Sequence, residues 1–361
     1  MMRPSYRAVL SIIFSSYFIC TGSFPSSRSF RFSRRHPPHT NKRKRSGCTY
    51  FHFIKGEQKD MAIVFNDRMP FGTSELREAT HKLQERYASL RTQTIGESVL
   101  GRPLFLYLLG QGPCQALYVG GVHALEYITS MLLVRFTERL CACAETGGTL
   151  HGLGAASFLS NHALAVLPML NPDGVEIHLH GAQTAGAAAA TVMRLSGGDF
   201  STWQANARGV DLNHNFDAGF RILKQQEAQH GIHGPGPGKF GGYRPESEAE
   251  TRALCHLCRR IPFKKTIAFH SQGEELYWHY GPKTPPEACQ MAMRLGNSAG
   301  YAVKNPTGMA AHGGFKDWFI QTFARPGFTV EVGKGHNPLP PENCPVIYEK
   351  LEPMMVLGLQ V

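Results

Sequence analysis

The chain has 361 residues, of which 42% are hydrophobic, and this is enough to bury the sizeable core of a globular protein. Its net charge of +11 would suggest nucleic acid or an anionic membrane as a partner. However, residues 1–60 hold 12 basic and 2 acidic residues, whereas residues 61–361 hold 26 and 25. A nucleic-acid-binding function would therefore rest on residues 1–60 alone.

The first sixty residues begin with the apolar run AVLSIIFSSYFIC, which has the length of a signal-peptide core and is too short to span a bilayer. The sequence YFIC around Cys20 lacks the small residues of a cleavage site. A secretory signal is one interpretation. We favour a basic, disordered leader, or upstream sequence with Met61 as the true start, because regular patterning begins only there. This interpretation predicts one folded domain at 61–361 and a cytoplasmic protein.

Helical and strand patterns alternate from Ser74 onward. A helix opens the domain, and two strands joined by a polar turn follow within 92–110. Further apolar runs of strand length and further helical patterns then alternate: strands at 116–121, 162–170, 265–270 and 327–333, and helices at 126–145, 245–261, 285–299 and 342–358. This order predicts a single α/β domain with a mostly parallel, helix-covered sheet.

Nine cysteines, an odd number in a chain of this size, indicate a reduced, intracellular protein without disulfides. Cys255 and Cys258 form a CxxC motif inside a helical pattern, with no second pair at zinc-ribbon spacing. They are predicted to be buried free thiols. Four histidines are predicted to be solvated residues of loops or strand-like segments: His178, His180, His230 and His233.

Several polar segments follow directly on strand-like runs: GGVHALE, LNPDG, HSQGEE and EVGKGHNPLP. Each should lie at the carboxyl end of a strand, the edge where open α/β sheets bind ligands. Another polar run, GVDLNHNFDAGF, spans residues 209–220. Its own residues are compatible with a metal site, a substrate clamp or an ordinary turn.

A metal site is indicated by His123 and Glu126, an HxxE pair at a junction between strand and helix. His270, at the end of the strand KTIAFH, is the best-placed third ligand. Taken singly, each of these residues has an ordinary structural explanation. Together, two histidines and one glutamate are the ligand set of a catalytic zinc site, which leaves one position for water.

Zinc-dependent hydrolysis also needs a base beside the metal. Glu331 is a charged residue in the otherwise apolar strand GFTVEVG. It is either a solvated residue on a polar strand face or, in an interior strand beside the metal, a general base.

These motifs resemble the carboxypeptidase A-like zinc metallocarboxypeptidases over about residues 70 to 360, in the order GGVHALE, LNPDG, GVDLNHNFDAGF, AFHSQGEE, GGFKDW and TVEVG. The resemblance implies a mixed eight-stranded sheet between helices, one Zn²⁺ held by His123, Glu126 and His270, and Glu331 as general base and acid. The enzyme would be a zinc metallopeptidase acting on a peptide.

Within this family, WQANARGVDLNHNFDAGF, HSQGEELYW and VEVGKGHNPLP look most like the bacterial γ-D-glutamyl-diamino acid endopeptidases, which cut an isopeptide bond of cell-wall peptides. Ordinary carboxypeptidases have Asn-Arg where this chain has Asn213 and His214, and that pair holds the substrate's terminal carboxylate. The resemblance therefore assigns Asn213 and His214 to substrate binding. A histidine is shorter than arginine and titratable, so the carboxylate must be presented differently.

Two positions depart from the family pattern. Met309 stands where family members carry a tyrosine that contacts the substrate. The arginine that stabilises the oxyanion falls near Gln204 by spacing, and Arg208 is the nearest cationic substitute, so we predict that Arg208 takes this role.

Three functions remain possible. The first is hydrolysis of the γ-D-glutamyl–diaminopimelate bond in muropeptides. The second is ordinary metallocarboxypeptidase or deacylase activity on α-linked peptides or acyl amino acids, and the third is non-catalytic binding of muropeptides. The oligomeric state is left open.

Overall fold

A computed structural model describes residues 63–361, so the predicted leader lies outside the described residues. The strands within that range are β1 (Leu90–Glu97), β2 (Pro103–Gly110), β3 (Cys114–Val119), β4 (Thr149–Leu150), β5 (Leu153–Gly154), β6 (Ala163–Leu167), β7 (Lys265–His270), β8 (Glu275–Tyr277), β9 (Ala302–Lys304) and β10 (Gly327–Glu331).

Eight of these strands form one sheet in the order β1-β2-β6-β3-β7-β10-β8-β9. The neighbours β6 and β3, β3 and β7, β7 and β10, and β8 and β9 are parallel, whereas the other three pairs are antiparallel. The predicted mixed, mostly parallel eight-stranded sheet is confirmed. Because β3, β7 and β10 are adjacent and parallel, their carboxyl ends meet at one edge.

The helices of the described range are α1 (Thr73–Arg86), α2 (Ile128–Glu145), α3 (Ala155–Asn161), α4 (Pro172–His180), α5 (Ala189–Ser196), α6 (Phe220–Gln229), α7 (Ala249–Arg260), α8 (Ala288–Ala299), α9 (Phe315–Phe323) and α10 (Cys344–Gln360). They cover both faces of the sheet. Successive residues of a strand point to opposite faces, so each strand contributes to the apolar cluster on either side. In β3, Tyr118 belongs to the apolar cluster with α2 and α10, whereas Leu117 and Val119 belong to the cluster with α7 and α9. No helix of residues 63–361 is long and apolar enough to cross a membrane.

The thiol prediction is confirmed. Cys255 and Cys258 lie on α7, where both are buried and free. Burial raises the pKa of each thiol above its ordinary value, so both stay protonated at neutral pH.

The loop or strand-like interpretation of His178 and His180 is wrong, because both lie in the last turn of α4. His178 is not solvated either: its Nδ1 lies 2.9 Å from the carbonyl oxygen of Phe200, and burial lowers its pKa. His230 and His233 are exposed, as predicted.

Glu250, in the first turn of α7, is a carboxyl group with no exposed surface. It accepts long hydrogen bonds from the backbone N–H of Val99 (3.3 Å) and from Nδ2 of Asn206 (3.4 Å). Burial raises its pKa to about 7, opposed by its own backbone N–H and reinforced by the nearby carboxylate of Asp173.

This raised pKa predicts a stability that falls with pH. The contribution of Glu250 to the free energy of unfolding is fully present below its ordinary pKa of 4.5 and is lost as the pH rises to about 7. The reason is that, over this range, Glu250 is ionised in the unfolded chain but still protonated in the folded one. We expect Glu250→Gln to gain on the order of 3 kcal/mol relative to wild type between pH 4.5 and 8. Thermal melts across this range should show a widening difference, with the exposed Glu349→Gln as control. A difference independent of pH would contradict the prediction.

Candidate active site and metal centre

The three predicted metal ligands lie at the carboxyl ends of two neighbouring strands. His270 is the last residue of β7. His123 and Glu126 follow β3, and Glu126 ends a single 3₁₀ turn that begins directly after His123. Since β3 and β7 pair in parallel, the turn and the strand end meet.

The ligand atoms converge on one point. Glu126 places Oε1 3.0 Å from Nδ1 of His123 and Oε2 3.0 Å from Nδ1 of His270, and the two Nδ1 atoms are 3.3 Å apart. One such atom from each residue lies within 4.8 Å of the others. Two imidazole nitrogens and one carboxylate facing each other are the donors of a catalytic zinc site, so these residues fit Zn²⁺.

The charges of this cluster also favour a cation. Burial disfavours the charged form of His123, but Glu126 and Asp211 outweigh it and hold the pKa of His123 well above its usual value. Burial likewise opposes ionisation of Glu126, yet His123 and His270 lower its pKa to about 2. The buried carboxylates therefore stay ionised and need a positive charge beside them, which a bound metal provides when the imidazoles are neutral.

Asp211 fixes the orientation of His123, a role that sequence analysis missed. It is buried, and its Oδ1 lies 3.1 Å from Nε2 of His123. Oδ1 also accepts the backbone N–H of Asn213 (3.0 Å), and Oδ2 accepts that of Lys239 (3.0 Å). Nε2 of His123 donates to this carboxylate, so Nδ1 carries the lone pair that a metal needs.

Asp211→Asn is expected to weaken zinc binding 10- to 100-fold, the usual effect of removing such a partner of a ligand histidine. Chelator competition would measure the zinc Kd. The exposed Asp217 lies in the same polar run, so Asp217→Asn is the matched control and should leave the Kd unchanged. Equal zinc affinity in Asp211→Asn and wild type would remove this role from Asp211.

Glu331 is brought to the same place, because it ends β10 and is paired in register with His270 of β7. It is half-buried. Burial, together with Glu126 and Glu275, raises its pKa to about 8, although His123 opposes this shift. A metal at the site would lower this pKa, so Glu331 suits proton transfer near neutral pH.

Asn213 and His214 lie on a 3₁₀ turn that starts directly after Asp211. Oδ1 of Asn213 accepts the backbone N–H of Phe315 (3.1 Å), which leaves the amide hydrogens for another partner. Nδ1 of His214 lies 3.1 Å from the carbonyl oxygen of Lys239 and therefore carries a hydrogen. Both residues thus lie beside the metal cluster, and their binding of substrate remains a prediction.

The two candidates for oxyanion stabilisation occupy different places. The backbone carbonyl of Gln204 accepts the N–H of Ala124, between His123 and Glu126 (3.0 Å). Arg208 instead has its Nε 3.6 Å from Glu248, with 58% of its side chain exposed. Gln204 therefore contacts the 3₁₀ turn Ala124–Glu126, which carries the predicted metal ligand Glu126. The catalytic role of Arg208 stays a prediction.

Met309 occupies a short 3₁₀ helix, Gly308–Ala311, and is partly exposed. Met309 lies four residues before Gly313, whose backbone carbonyl accepts the N–H of Phe216. The position that carries a phenol in the family is thus a thioether on a surface turn.

A family description reading "zinc carboxypeptidase" matches residues 76–351, which include all three ligands and Glu331. This chain belongs to the zinc carboxypeptidase family. As a member it is a zinc metallopeptidase, so the predicted enzyme class and cofactor are confirmed.

Known proteins resemble this zinc carboxypeptidase over most of its length. Gamma-D-glutamyl-L-diamino acid endopeptidase 1 of Lysinibacillus sphaericus is 34% identical over 309 residues, which cover 85% of this chain and 74% of the relative. The uncharacterized protein YqgT of Bacillus subtilis is 30% identical over 282 residues, 77% and 74% of the two chains. The crystal structure of carboxypeptidase A from Helicoverpa armigera superimposes with a TM-score of 0.62 at 16% identity, covering 82% of this chain and 74% of that one. This likeness confirms the predicted fold.

Proposed function

We propose that this zinc metallopeptidase hydrolyses the bond between the γ-carboxyl group of D-glutamate and a diamino acid in cell-wall peptides. The observation that carries the proposal is His214, which replaces the arginine of ordinary carboxypeptidases and lies beside Asp211, with its Nδ1 3.9 Å from Oδ2. The relative at 34% identity bears the name of this activity.

Zn²⁺, when bound, polarises the scissile carbonyl and acidifies water. Glu331 takes the proton of the attacking water on its carboxylate and returns it to the leaving amine. Asn213, whose Oδ1 is engaged by Phe315, offers amide hydrogens to the carboxylate of the leaving amino acid. His214 adds a positive charge to this contact when it is protonated.

A comparison of two substrates tests the proposal: L-Ala-γ-D-Glu-diaminopimelate and a blocked α-linked dipeptide, each with and without chelator. We expect chelator-sensitive cleavage, with kcat/KM at least about tenfold higher for the γ-linked peptide. A preference for the α-linked substrate would favour an ordinary metallocarboxypeptidase or deacylase. Zinc and peptide binding without any hydrolysis would favour a muropeptide-binding protein.

His214→Arg is expected to move specificity toward α-linked dipeptides with a free terminal carboxylate. Arginine is charged at every accessible pH, whereas an imidazole binds a carboxylate strongly only when protonated. The ratio of kcat/KM for α-linked over γ-linked substrate should rise about tenfold, as expected for one charged hydrogen bond. His214→Gln is the uncharged control and should not raise it. An unchanged ratio in His214→Arg would contradict a role for this residue in specificity.

We propose that the enzyme acts in the cytoplasm on imported wall peptides. The seven cysteines of residues 63–361 are all free, as expected in a reducing compartment. Sequencing the N-terminus of the mature protein tests this location. Met61 as the first residue would support it, whereas cleavage after the apolar run with export would contradict it.

A further inference from the structure

Asn215, directly after His214, organises a segment of chain outside the metal cluster. It is completely buried. Its Nδ2 lies within hydrogen-bonding distance of the carbonyls of Gly241 (2.7 Å) and Arg244 (3.2 Å) and of Oγ of Ser247 (2.8 Å), while Oδ1 accepts the backbone N–H of Glu248 (3.1 Å). One residue of the polar run therefore holds residues 241–248 in place.

That segment forms one wall of a cavity of about 270 Å³. Arg208, Phe240, Tyr243, Arg244 and Glu248 line it. It opens to solvent, because Tyr243 is 76% exposed and the side chain of Arg208 is 58% exposed. Pockets for drug-sized ligands begin at about 300 Å³, so this cavity suits a group the size of one amino-acid residue.

The cavity places the cationic side chain of Arg208 beside a buried, hydrogen-bonded carboxylate. Glu248 is 1% exposed and lies 3.6 Å from Nε of Arg208. It is itself held by Nδ2 of Asn206 (2.8 Å) and Oγ of Ser247 (2.7 Å). Because Glu248 faces Nε, the two terminal amino groups of Arg208 can bind a further anion in a bidentate manner.

Arg244 supplies a second positive charge. Its guanidinium forms no ion pair or hydrogen bond with residues 63–361. Two arginines against the single carboxylate of Glu248 leave the cavity with a net positive charge, which favours an anionic ligand.

One stretch of backbone lines this cavity and also contacts Asp211, the hydrogen-bond partner of His123. The backbone N–H of Lys239 donates to Asp211, and its carbonyl accepts from His214. The next residue, Phe240, lines the cavity, and its carbonyl accepts the N–H of Asp211 (2.7 Å). Asp211 in turn contacts His123. The cavity and the metal cluster are therefore joined through Asp211 and the backbone of Lys239 and Phe240.

We propose that the cavity binds the free α-carboxylate of the γ-linked glutamyl residue on the acyl side of the scissile bond. This inference rests on the proposed function. A γ-linked glutamate keeps its free α-carboxylate a few bonds from the scissile carbonyl. In an α-linked residue the α-carboxyl group is itself the scissile carbonyl, so no free carboxylate remains unless the side chain is acidic. Arg208 and Arg244 thereby distinguish the γ-linkage, because a charged site discriminates strongly against a ligand that lacks the matching group.

Matched substrates test the cavity: L-Ala-γ-D-Glu-diaminopimelate and its α-carboxamide at glutamate. We expect wild type to prefer the free acid 10- to 100-fold in kcat/KM, mostly through KM, as for one hydrogen-bonded charge pair. Arg208→Gln and Arg244→Gln should each remove about tenfold of that preference, and Arg244→Gln should leave kcat/KM for the carboxamide within roughly twofold. Arg294→Gln, an exposed arginine on α8, is the matched control and should keep the full preference.

Arg208→Gln removes the cation beside the buried Glu248, which destabilises the fold. Arg208→Lys keeps a positive charge there, and Arg244→Gln leaves Glu248 paired, so these two variants test the cavity even if Arg208→Gln does not fold. An undiminished preference in Arg244→Gln and Arg208→Gln would overturn the proposal. The proposal would also be overturned if the activity losses of the arginine variants disappeared when the leaving diamino acid, rather than glutamate, is amidated. The arginines would then bind the carboxylate of the leaving group.

Binding separates this inference from the proposed function. If wild type cleaves no γ-linked peptide, the proposed function fails, and the Kd of the Glu331→Gln enzyme for the two peptides decides on the cavity. The cavity assignment would be supported if this Kd were about tenfold lower for the free acid than for the carboxamide. The difference should disappear in the double variant Glu331→Gln/Arg244→Gln. Equal Kd values for acid and carboxamide would overturn it.

Discussion

Glu331→Gln is expected to retain zinc and to lower kcat by about 10³-fold or more, the upper range for removing a general base. Glutamine keeps the size and hydrogen-bonding oxygen of glutamate but cannot accept the proton of the attacking water. The zinc ligands are on other strands and turns, so the metal content should stay at one per chain. Metal analysis and steady-state hydrolysis of the γ-linked peptide measure both expectations.

The pH profile adds a second readout for Glu331. Its pKa is raised by burial, by Glu126 and by Glu275, and bound zinc lowers it from about 8. Activity should therefore rise with pH along a limb below pH 8, as the base loses its proton, and this limb should vanish in Glu331→Gln. The exposed Glu349→Gln should keep it. Full activity in Glu331→Gln with zinc bound would remove the assignment.

The parts of the fold that the sequence predicts are the long, regularly patterned ones. The strand ending at His270 contains the apolar residues 267–269, and all of it is buried in the sheet. The strands Glu275–Tyr277 and Ala302–Lys304 have three residues each and owe their place to pairing along the sheet, so no periodicity announces them. The sheet's strand number could be stated only through the family resemblance.

Helix α4 carries a local sequence signal at its start. Asn171 caps the helix by accepting the N–H of Gly174 (3.0 Å), and Pro172 occupies the first helical position. The alternating histidines of EIHLHG suggested a strand or loop instead. A cap followed by proline is the stronger indication, because both residues satisfy or remove backbone donors at a helix start.

The sequence predicts those site residues whose type alone implies their chemistry. It does not predict residues whose role depends on a contact between distant parts of the chain. His123, Glu126 and His270 are recognisable as ligand types at the ends of strands. Asp211 is 88 residues from His123 in the chain, and their contact arises only when the polar run folds against the metal turn. The cavity of Arg208 and Arg244 likewise depends on Asn215 joining two distant segments.

The Asp211 carboxylate contacts both the metal cluster and the turn that holds Asn213 and His214. It orients His123, accepts the N–H of Asn213 and lies 3.9 Å from Nδ1 of His214. One buried carboxylate therefore contacts both a metal ligand and the turn that holds Asn213 and His214.

Loss of zinc is the expected result of His270→Ala and of His123→Ala. Each change removes one of three protein ligands, so the zinc Kd should rise by more than about 100-fold, beyond the effect of changing a partner of a ligand. Dialysed protein should then contain little zinc and should not cleave peptide. Metal analysis of the purified variants measures this, with the largely exposed His81→Gln as the matched histidine control.

A melting experiment tests the ligands without relying on activity. Zinc that binds only the folded chain stabilises it by mass action, so chelator should lower the Tm of wild type and of His81→Gln. The Tm of His270→Ala should be insensitive to chelator, because there is no bound metal to remove. Stoichiometric zinc in both His270→Ala and His123→Ala, together with chelator-sensitive melting, would show that the metal is held by other residues.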